Sequence, residues 1–341
     1  MSASVFVFLS RRSFNIQIHM LVGRTAGSLF FVRRTSRFVV FSSLIITRQL
    51  AMRDTILTNV ANASITRTRS SDSSEKLIHA SSNIDSKPNV QTVKYSTSEM
   101  PEQLSDSDKA KRAAAFESGR DHIRSGQKIG VGSGSTAKYL VAYIEQEYKA
   151  GRLNDVQCVP TSFLTRQWLL NAKIPVSTPE QTPTLDVAID GADEMDAKFA
   201  CIKGGGGCLT QEKIIQSCAA KYIIIAQKSK RTSYLGQSFK YVPVEVVPIA
   251  YVPVKQWIEK THGGHCELRM AKDKCGAVIT DNNNYILDWH FPDTSVETDW
   301  YKINTSISCR AGVVETGLFL DVVDFAYLGS AEGEVQKLQA H

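Results

Sequence analysis

Residues 128–151, KIGVGSGSTAKYLVAYIEQEYKAG, read as one strand, one turn and one helix in immediate succession. KIGVG is a short apolar run of extended character, SGST is a turn, and TAKYLVAYIEQEYKAG carries apolar residues at helical spacing up to Gly151. The same unit recurs on both sides of it. SDSDKAKRAAAFESGRDHIRSG predicts a capped helix, with Ser and Asp at its start, alanines inside and Gly126 at its end. DVQCVPTS and LDVAID predict further strands, FLTRQWLLNAK and QEKIIQSCAAK further helices, and YIIIAQ a fourth strand. Strands alternating with helices of this length predict parallel pairing in an α/β sheet covered on both faces.

The pattern changes after Gly236. PVEVVPIAYVPVKQWIEKTHGG, CELRMA and AVITDNNNYILDWHF predict strand, helix, strand and a hairpin turning through Asn282, Asn283 and Asn284, as in a small α+β domain. VVETGLFL and DFAYLGS then predict strands that return to the first sheet.

Charge is unevenly placed. The chain of 341 residues carries a net +6, but residues 1–53 hold eight arginines, no lysine and no acid, which leaves −2 from Asp54 onward. Nothing past the leader suggests a nucleic-acid surface. An Arg- and Ser-rich, acid-free leader has the composition of an organellar transit peptide, with an upstream translated segment and a start at Met52 as the other reading. Its longest clean apolar stretch, FVVFSSLII, is too short to span a bilayer. Residues 54–104 are rich in Ser, Thr and Asn without an apolar period and read as a disordered linker. The seven cysteines, odd in number and without a CxxC pair, read as reduced thiols. His262, His265 and Cys266 in THGGHCE fit no metal-ligand spacing and read as loop residues.

Ligands of open α/β sheets bind where strands end, and three loops of unusual chemistry fall at such places. GVGSGSTA, 130–137, lacks the lysine of a nucleotide P-loop and the glycine order of a dinucleotide fingerprint. It reads either as a site for one small phosphate, held by backbone N–H groups and a helix N-terminus, or as a tight capped turn. In DGADEMD, 190–196, a strand end aims Asp190 into the cleft and a turn brings Asp193 beside it, a pairing suited to moving hydroxyl protons. Its spacing misses that of a calcium loop, and Glu194 and Asp196 read as solvated. KGGGGCLTQEK, 203–213, sets Lys203 before four glycines, with Thr210 as helix cap and Glu212 in the first turn. Glu212 alone is a favourable charge at the helix dipole; beside Lys203 and the acids it becomes a candidate general base.

GVGSGSTA, AIDGADEMDA, IKGGGGCLTQEKI, PVEVVPIAYVPV and TDNNNYILD, in this order, closely resemble the ribose-5-phosphate isomerase family of the A type, over about residues 108–330. The resemblance implies interconversion of D-ribose 5-phosphate and D-ribulose 5-phosphate in the pentose phosphate pathway, with no metal or organic cofactor. It implies that Glu212 moves a proton between C1 and C2 through an enediolate, and that Asp190 and Asp193 serve sugar hydroxyls and ring opening. Lys203 would stabilise the enediolate oxygen. Ser133, Gly134, Ser135, Thr136 and Lys230 would hold substrate through its phosphate, with Gly191, Ala192, Gly204, Gly205 and Gly206 completing the substrate-binding set. Gln227 stands where family members usually have aspartate, and Asn283 where they usually have glycine. The family's basic residue on the first helix matches either Lys111 or Arg112.

The expected fold is a Rossmann-like parallel-sheet domain, 105–241 plus 310–335, with a smaller ferredoxin-like α+β domain, 242–309, inserted near the C-terminal end. The expected partners are a sugar phosphate and further copies of the chain, as a homodimer or homotetramer, with no nucleic acid and no membrane. The family implies a cytoplasmic location, the leader an organelle. A sugar-phosphate sensor of the same fold would carry a helix-turn-helix, for which residues 1–104 have no pattern; a coenzyme A transferase would need room for a nucleotide beyond a single-phosphate loop.

Overall fold

Ser105 accepts a hydrogen bond from Asp108 N at 3.1 Å and so caps helix α1, Asp106–His122. In this computed structural model, residues 104–340 are described, together with four short upstream strands. Those pair antiparallel, Ala3–Phe8 with His19–Arg24 and Phe30–Arg34 with Arg37–Phe41. Apart from those four strands the leader lies outside the described residues, and so does the linker, except at Leu104.

From α1 the chain alternates: β1 Lys128–Val131, α2 Ala137–Lys149, β2 Gln157–Pro160, α3 Phe163–Asn171 and β3 Val187–Asp190. Two short strands, β4 Glu194–Met195 and β5 Cys201–Ile202, precede α4 Leu209–Ser217 and β6 Tyr222–Gln227. The small sheet follows as β7 Val242–Val246, α5 Tyr251–His262, β8 His265–Leu268, β9 Tyr285–His290, α6 Trp300–Ser308 and β10 Val313–Thr316. The chain ends with β11 Leu318–Phe319, β12 Phe325–Gly329 and β13 Val335–Gln339.

The main sheet has the order β13-β12-β6-β3-β1-β2, parallel except for the edge strand β13. All four residues of β3 are buried, as a strand covered on both faces requires. Ile189, Ile223 and Ile225 face α1, α2 and α3, while Ala188 and Ile224 face Ile215 of α4 and Phe319. Each large side chain so buried contributes about 2 kcal/mol of transfer free energy. The second sheet is antiparallel in the order β8-β9-β7-β10, and its βαββαβ succession is ferredoxin-like. The fold is thus an α/β, mostly parallel sheet with a smaller antiparallel domain.

Three local expectations are corrected. VVETGLFL is not one strand, and neither half joins the main sheet: β10 pairs with β7, and β11 pairs with β5. The break is at Gly317, whose N–H donates to Pro243 O at 2.7 Å and where a Cβ would lie 2.3 Å from Lys203 O. The turn at Asn282–Asn284 forms, with Asn283 at φ 62°, but AVIT just before it is not a strand; β9 pairs with β8 and β7 instead. Gly126 follows α1 at φ +80° in a turn, the helix having ended at His122. All seven cysteines are free.

Candidate active site

The carboxyl end of β3 delivers Asp190, 2% exposed, beneath the first glycine loop. Asp190 Oδ1 accepts from Ser133 N at 3.0 Å and from Gly191 N at 2.7 Å, while Oδ2 accepts from Lys203 Nζ at 3.0 Å. Gly132 makes this possible, because a Cβ there would lie 2.0 Å from Asp190 Oδ1. Lys203, also 2% exposed, donates to Gly191 O and lies 3.1 Å from Glu212 Oε2, an ion pair off the hydrogen-bond direction. Its ammonium lies 5.2 Å from the centre of the Phe319 ring. Asp193 Oδ2 accepts from Gly205 N at 2.7 Å. Arg269, paired with Asp288, donates to Gly204 O at 3.0 Å and Gly205 O at 3.2 Å, which fixes the glycine loop from the small sheet.

Two buried carboxylates share one buried ammonium, so the charges do not balance. Burial and the charge of Asp190 beside it push Glu212 up to about 8, against the opposing pull of Lys203. Burial likewise raises Asp190, against Lys203. Lys203 stays well above the usual lysine range: burial works to lower it, but Asp190 and Glu212 prevail.

These residues open onto a cleft of about 420 Å³. Ser133, Gly134, Ser135 and Thr136 line it, as do Gly191, Ala192, Asp193, Lys203, Gly204, Gly206, Glu212 and Lys230. Asp190 and Gly205 touch its wall residues without lining it themselves. Ser133 is already engaged, with its N–H on Asp190 and its hydroxyl 2.7 Å from Thr161 Oγ1, so Gly134, Ser135 and Thr136 are the loop's open donors. The helix behind them has Thr136 at its N-cap with no side-chain cap bond; Lys138 N donates to Gly134 O at 3.3 Å and Tyr139 N to Thr136 O at 3.0 Å, so what the helix turns toward an anion is its positive dipole end.

Some placements differ from the sequence expectation. Glu194 is not solvated but fully buried, accepting from Gly236 N at 2.6 Å and Ser238 N at 2.8 Å. Asp196 is buried too, accepting from Lys198 N and Ala200 N. Thr210 does not cap α4; Cys208 holds that position without a side-chain bond, and Thr210 lies in the first turn with Glu212. Of the two basic candidates on α1, Lys111 lines the cleft and Arg112 lies over Phe116, 4.1 Å from the ring centre. Phe163, Cys208, Gln227 and Asp281 also line the cleft and were missed. Among the described residues, no group of three His, Cys, Asp or Glu side chains is placed to hold a metal, and no helix is long and apolar enough to cross a membrane.

A switch-point cleft with buried acids, a buried lysine among them and a loop of open donors is suited to acid–base chemistry on a small anionic substrate. Residues 157–333 match the family model of ribose 5-phosphate isomerase A (phosphoriboisomerase A). The chain is 47% identical over 243 residues to a probable ribose 5-phosphate isomerase of Caenorhabditis elegans, covering 71% of this chain and 97% of that one. It is 44% identical over 236 residues to the ribose-5-phosphate isomerase of Homo sapiens, covering 69% and 75%. Among solved structures, a D-ribose-5-phosphate isomerase in complex with phospho-erythronic acid superposes with a TM-score of 0.64 at 35% identity, covering 70% of this chain and all of that one. The Plasmodium falciparum ribose 5-phosphate isomerase superposes with a TM-score of 0.64 at 33% identity, covering 68% and 98%. The chain belongs to the ribose 5-phosphate isomerase A family. It is an aldose–ketose isomerase of pentose phosphate metabolism, interconverting D-ribose 5-phosphate and D-ribulose 5-phosphate.

Proposed function

We propose that the isomerisation is divided among these residues as follows, the carrying observation being Glu212 buried 3.1 Å from Lys203 at the cleft wall. Asp193, at the glycine loop, moves protons on the sugar hydroxyls during ring opening, with Asp190 behind it. Glu212, ionised, takes the proton from C2 of the open aldose, and the electron pair shifts to make O1 negative. Lys203 stabilises that charge. O1 gains a proton as O2 loses one, and Glu212 returns its proton to C1, giving the 2-ketose. The raised proton affinity of Glu212 suits it to both transfers near neutral pH. The phosphate rests on Gly134, Ser135 and Thr136 with Lys230, while Gly191, Ala192, Gly204, Gly205 and Gly206 leave room for the sugar.

Lys203 supplies the positive charge the intermediate needs, so no metal enters this scheme and EDTA leaves turnover unchanged. Glu212→Gln in the full chain is the test. It keeps the side chain's shape and lowers kcat about a thousandfold, within the range that general acid–base groups supply. A variant retaining a tenth of wild-type kcat sinks the assignment.

The enzyme works as a homodimer or homotetramer; the exposed apolar residues Val247, Ile249, Val252 and Val314 support a subunit contact. Sedimentation equilibrium that returns a monomer overturns this. The location is cytoplasmic, with an organelle as the alternative if the basic leader is read as a targeting signal; a fluorescent fusion of the full chain decides between them.

A further inference from the structure

Glu245 lies in the middle of β7 with no exposure to solvent, and none of the described residues forms an ion pair with it. Four neutral donors surround it. Thr210 Oγ1 donates to Oε2 at 2.7 Å; Thr280 Oγ1, Asn282 Nδ2 and Asn284 Nδ2 donate to Oε1 at 2.9, 3.0 and 2.9 Å. Burying a carboxylate away from any cation is costly, and an apolar residue would serve packing alone better. What a carboxylate offers is acceptor capacity at both oxygens, so one side chain can gather donors from separate segments in a single orientation.

The segments gathered here both border the cleft. Thr210 is in the first turn of α4, two residues before Glu212, in a helix whose own N-cap residue makes no side-chain cap bond. The other three donors belong to the turn 280–284. That turn carries Asp281, which lines the cleft and whose Oδ2 accepts from Phe163 N at 2.8 Å. Gln211 Nε2, donating to Asn282 Oδ1 at 3.0 Å, ties the two segments to each other.

We propose that Glu245 is a positioning residue for the isomerisation, holding the helical turn that carries Glu212 through Thr210, and the cleft rim at Asp281 and Phe163 through the asparagine turn. The proposal rests on Glu212 as the base. Its two arms make separable demands on kinetics. Loosening the Thr210 arm misaligns the base and lowers kcat; loosening the turn widens the rim and raises KM.

The experiment measures steady-state isomerisation of ribose 5-phosphate and thermal melting for full-length Thr210→Val, Asn284→Ala, Glu245→Gln and Glu212→Gln. Thr210→Val is expected to lower kcat about tenfold with KM within about twofold. Asn284→Ala is expected to raise KM about fivefold with kcat within about twofold. Glu245→Gln recovers most of the function, to within about threefold of wild-type kcat, because its amide oxygen still meets three donors and the Thr210 hydroxyl can turn to accept from its NH2. Wild-type kcat and KM in both Thr210→Val and Asn284→Ala, with only the melting temperature lowered, would show a purely structural carboxylate and overturn the proposal. So would equal losses of kcat and KM in both. Glu212→Gln separates the two levels: an active Glu212→Gln removes the base itself, whereas an inactive one beside unaffected Thr210→Val and Asn284→Ala removes only the role of Glu245.

Discussion

The two ends of the cleft are built on opposite principles. At the reaction end Asp190, Lys203 and Glu212 are almost wholly buried and already bonded to one another. At the phosphate end Gly134 and Ser135 are exposed, Thr136 and Lys230 half-exposed, and the helix N-terminus behind them carries no side-chain cap. Under the division of roles proposed above, the difference follows from what each end must do. A developing enediolate charge is transient, so the groups that meet it must be in place before it appears and must be shielded from water. A phosphate is a stable dianion that arrives from solvent, so its donors can wait solvated and lose little before binding.

The largest effect that tests this contrast is Lys203→Met. It leaves Asp190 and Glu212 buried without their counter-charge, and a broken buried pair costs about 3 kcal/mol. Chemical denaturation is expected to show that loss, and kcat to fall at least a hundredfold. A variant of wild-type stability would mean that the reaction end is not the electrostatically interlocked unit described here.

A second, intermediate effect lies in pH. Glu212 takes up a proton at about 8 in the folded protein but near 4.5 when unfolded, so folding binds a proton between those values. Its contribution to stability is therefore full below 4.5 and lost as pH rises through about 8. Asp190, raised by its burial, acts in the same sense, while the contribution of the raised Lys203 is full throughout this interval and is lost only above the ordinary lysine range. Wild-type melting temperature should thus fall as pH rises from 5 to 8, with a shallower slope in Glu212→Gln. Over the same interval kcat/KM should climb about tenfold per pH unit toward a plateau near 8, as Glu212 becomes free to act as base. A flat kcat/KM profile from pH 6 to 9 would contradict the raised affinity.

Much of this molecule is legible in its sequence, and the exceptions share a cause. Apolar runs such as YIIIAQ and LDVAID announce strands covered on both faces, and the glycine-rich loops announce where backbone must approach something closely. Glu194 looked solvated because its partners, Gly236 and Ser238, lie more than forty residues further along the chain. VVETGLFL looked like one strand because Gly317 reads as a weak point only once Lys203 and Pro243 are seen packed against it. Lys111 and Arg112 could not be separated by type; neighbours on a helix point about 100° apart, and the packing of α1 settles which one faces the cleft. The role of Glu245 was hidden for the same reason, since its four donors come from two segments remote from it in sequence.

The smallest effect belongs to the solvated end. Lys230 is half-exposed in a short 3-10 turn, and among the described residues it enters no ion pair, so removing its charge disturbs nothing folded. Lys230→Met should leave the melting temperature and kcat near wild type, as surface substitutions do. Its KM for ribose 5-phosphate should rise about tenfold, the cost of one charge-assisted contact to phosphate. Salt sharpens the contrast. Ions screen exposed charges over about 10 Å at 0.1 M and buried pairs far less, so added salt should raise the wild-type KM and leave kcat unchanged. In Lys230→Met that salt dependence should flatten. If salt instead lowers kcat while KM holds, the exposed end would be governing chemistry and the division of labour drawn above would fail.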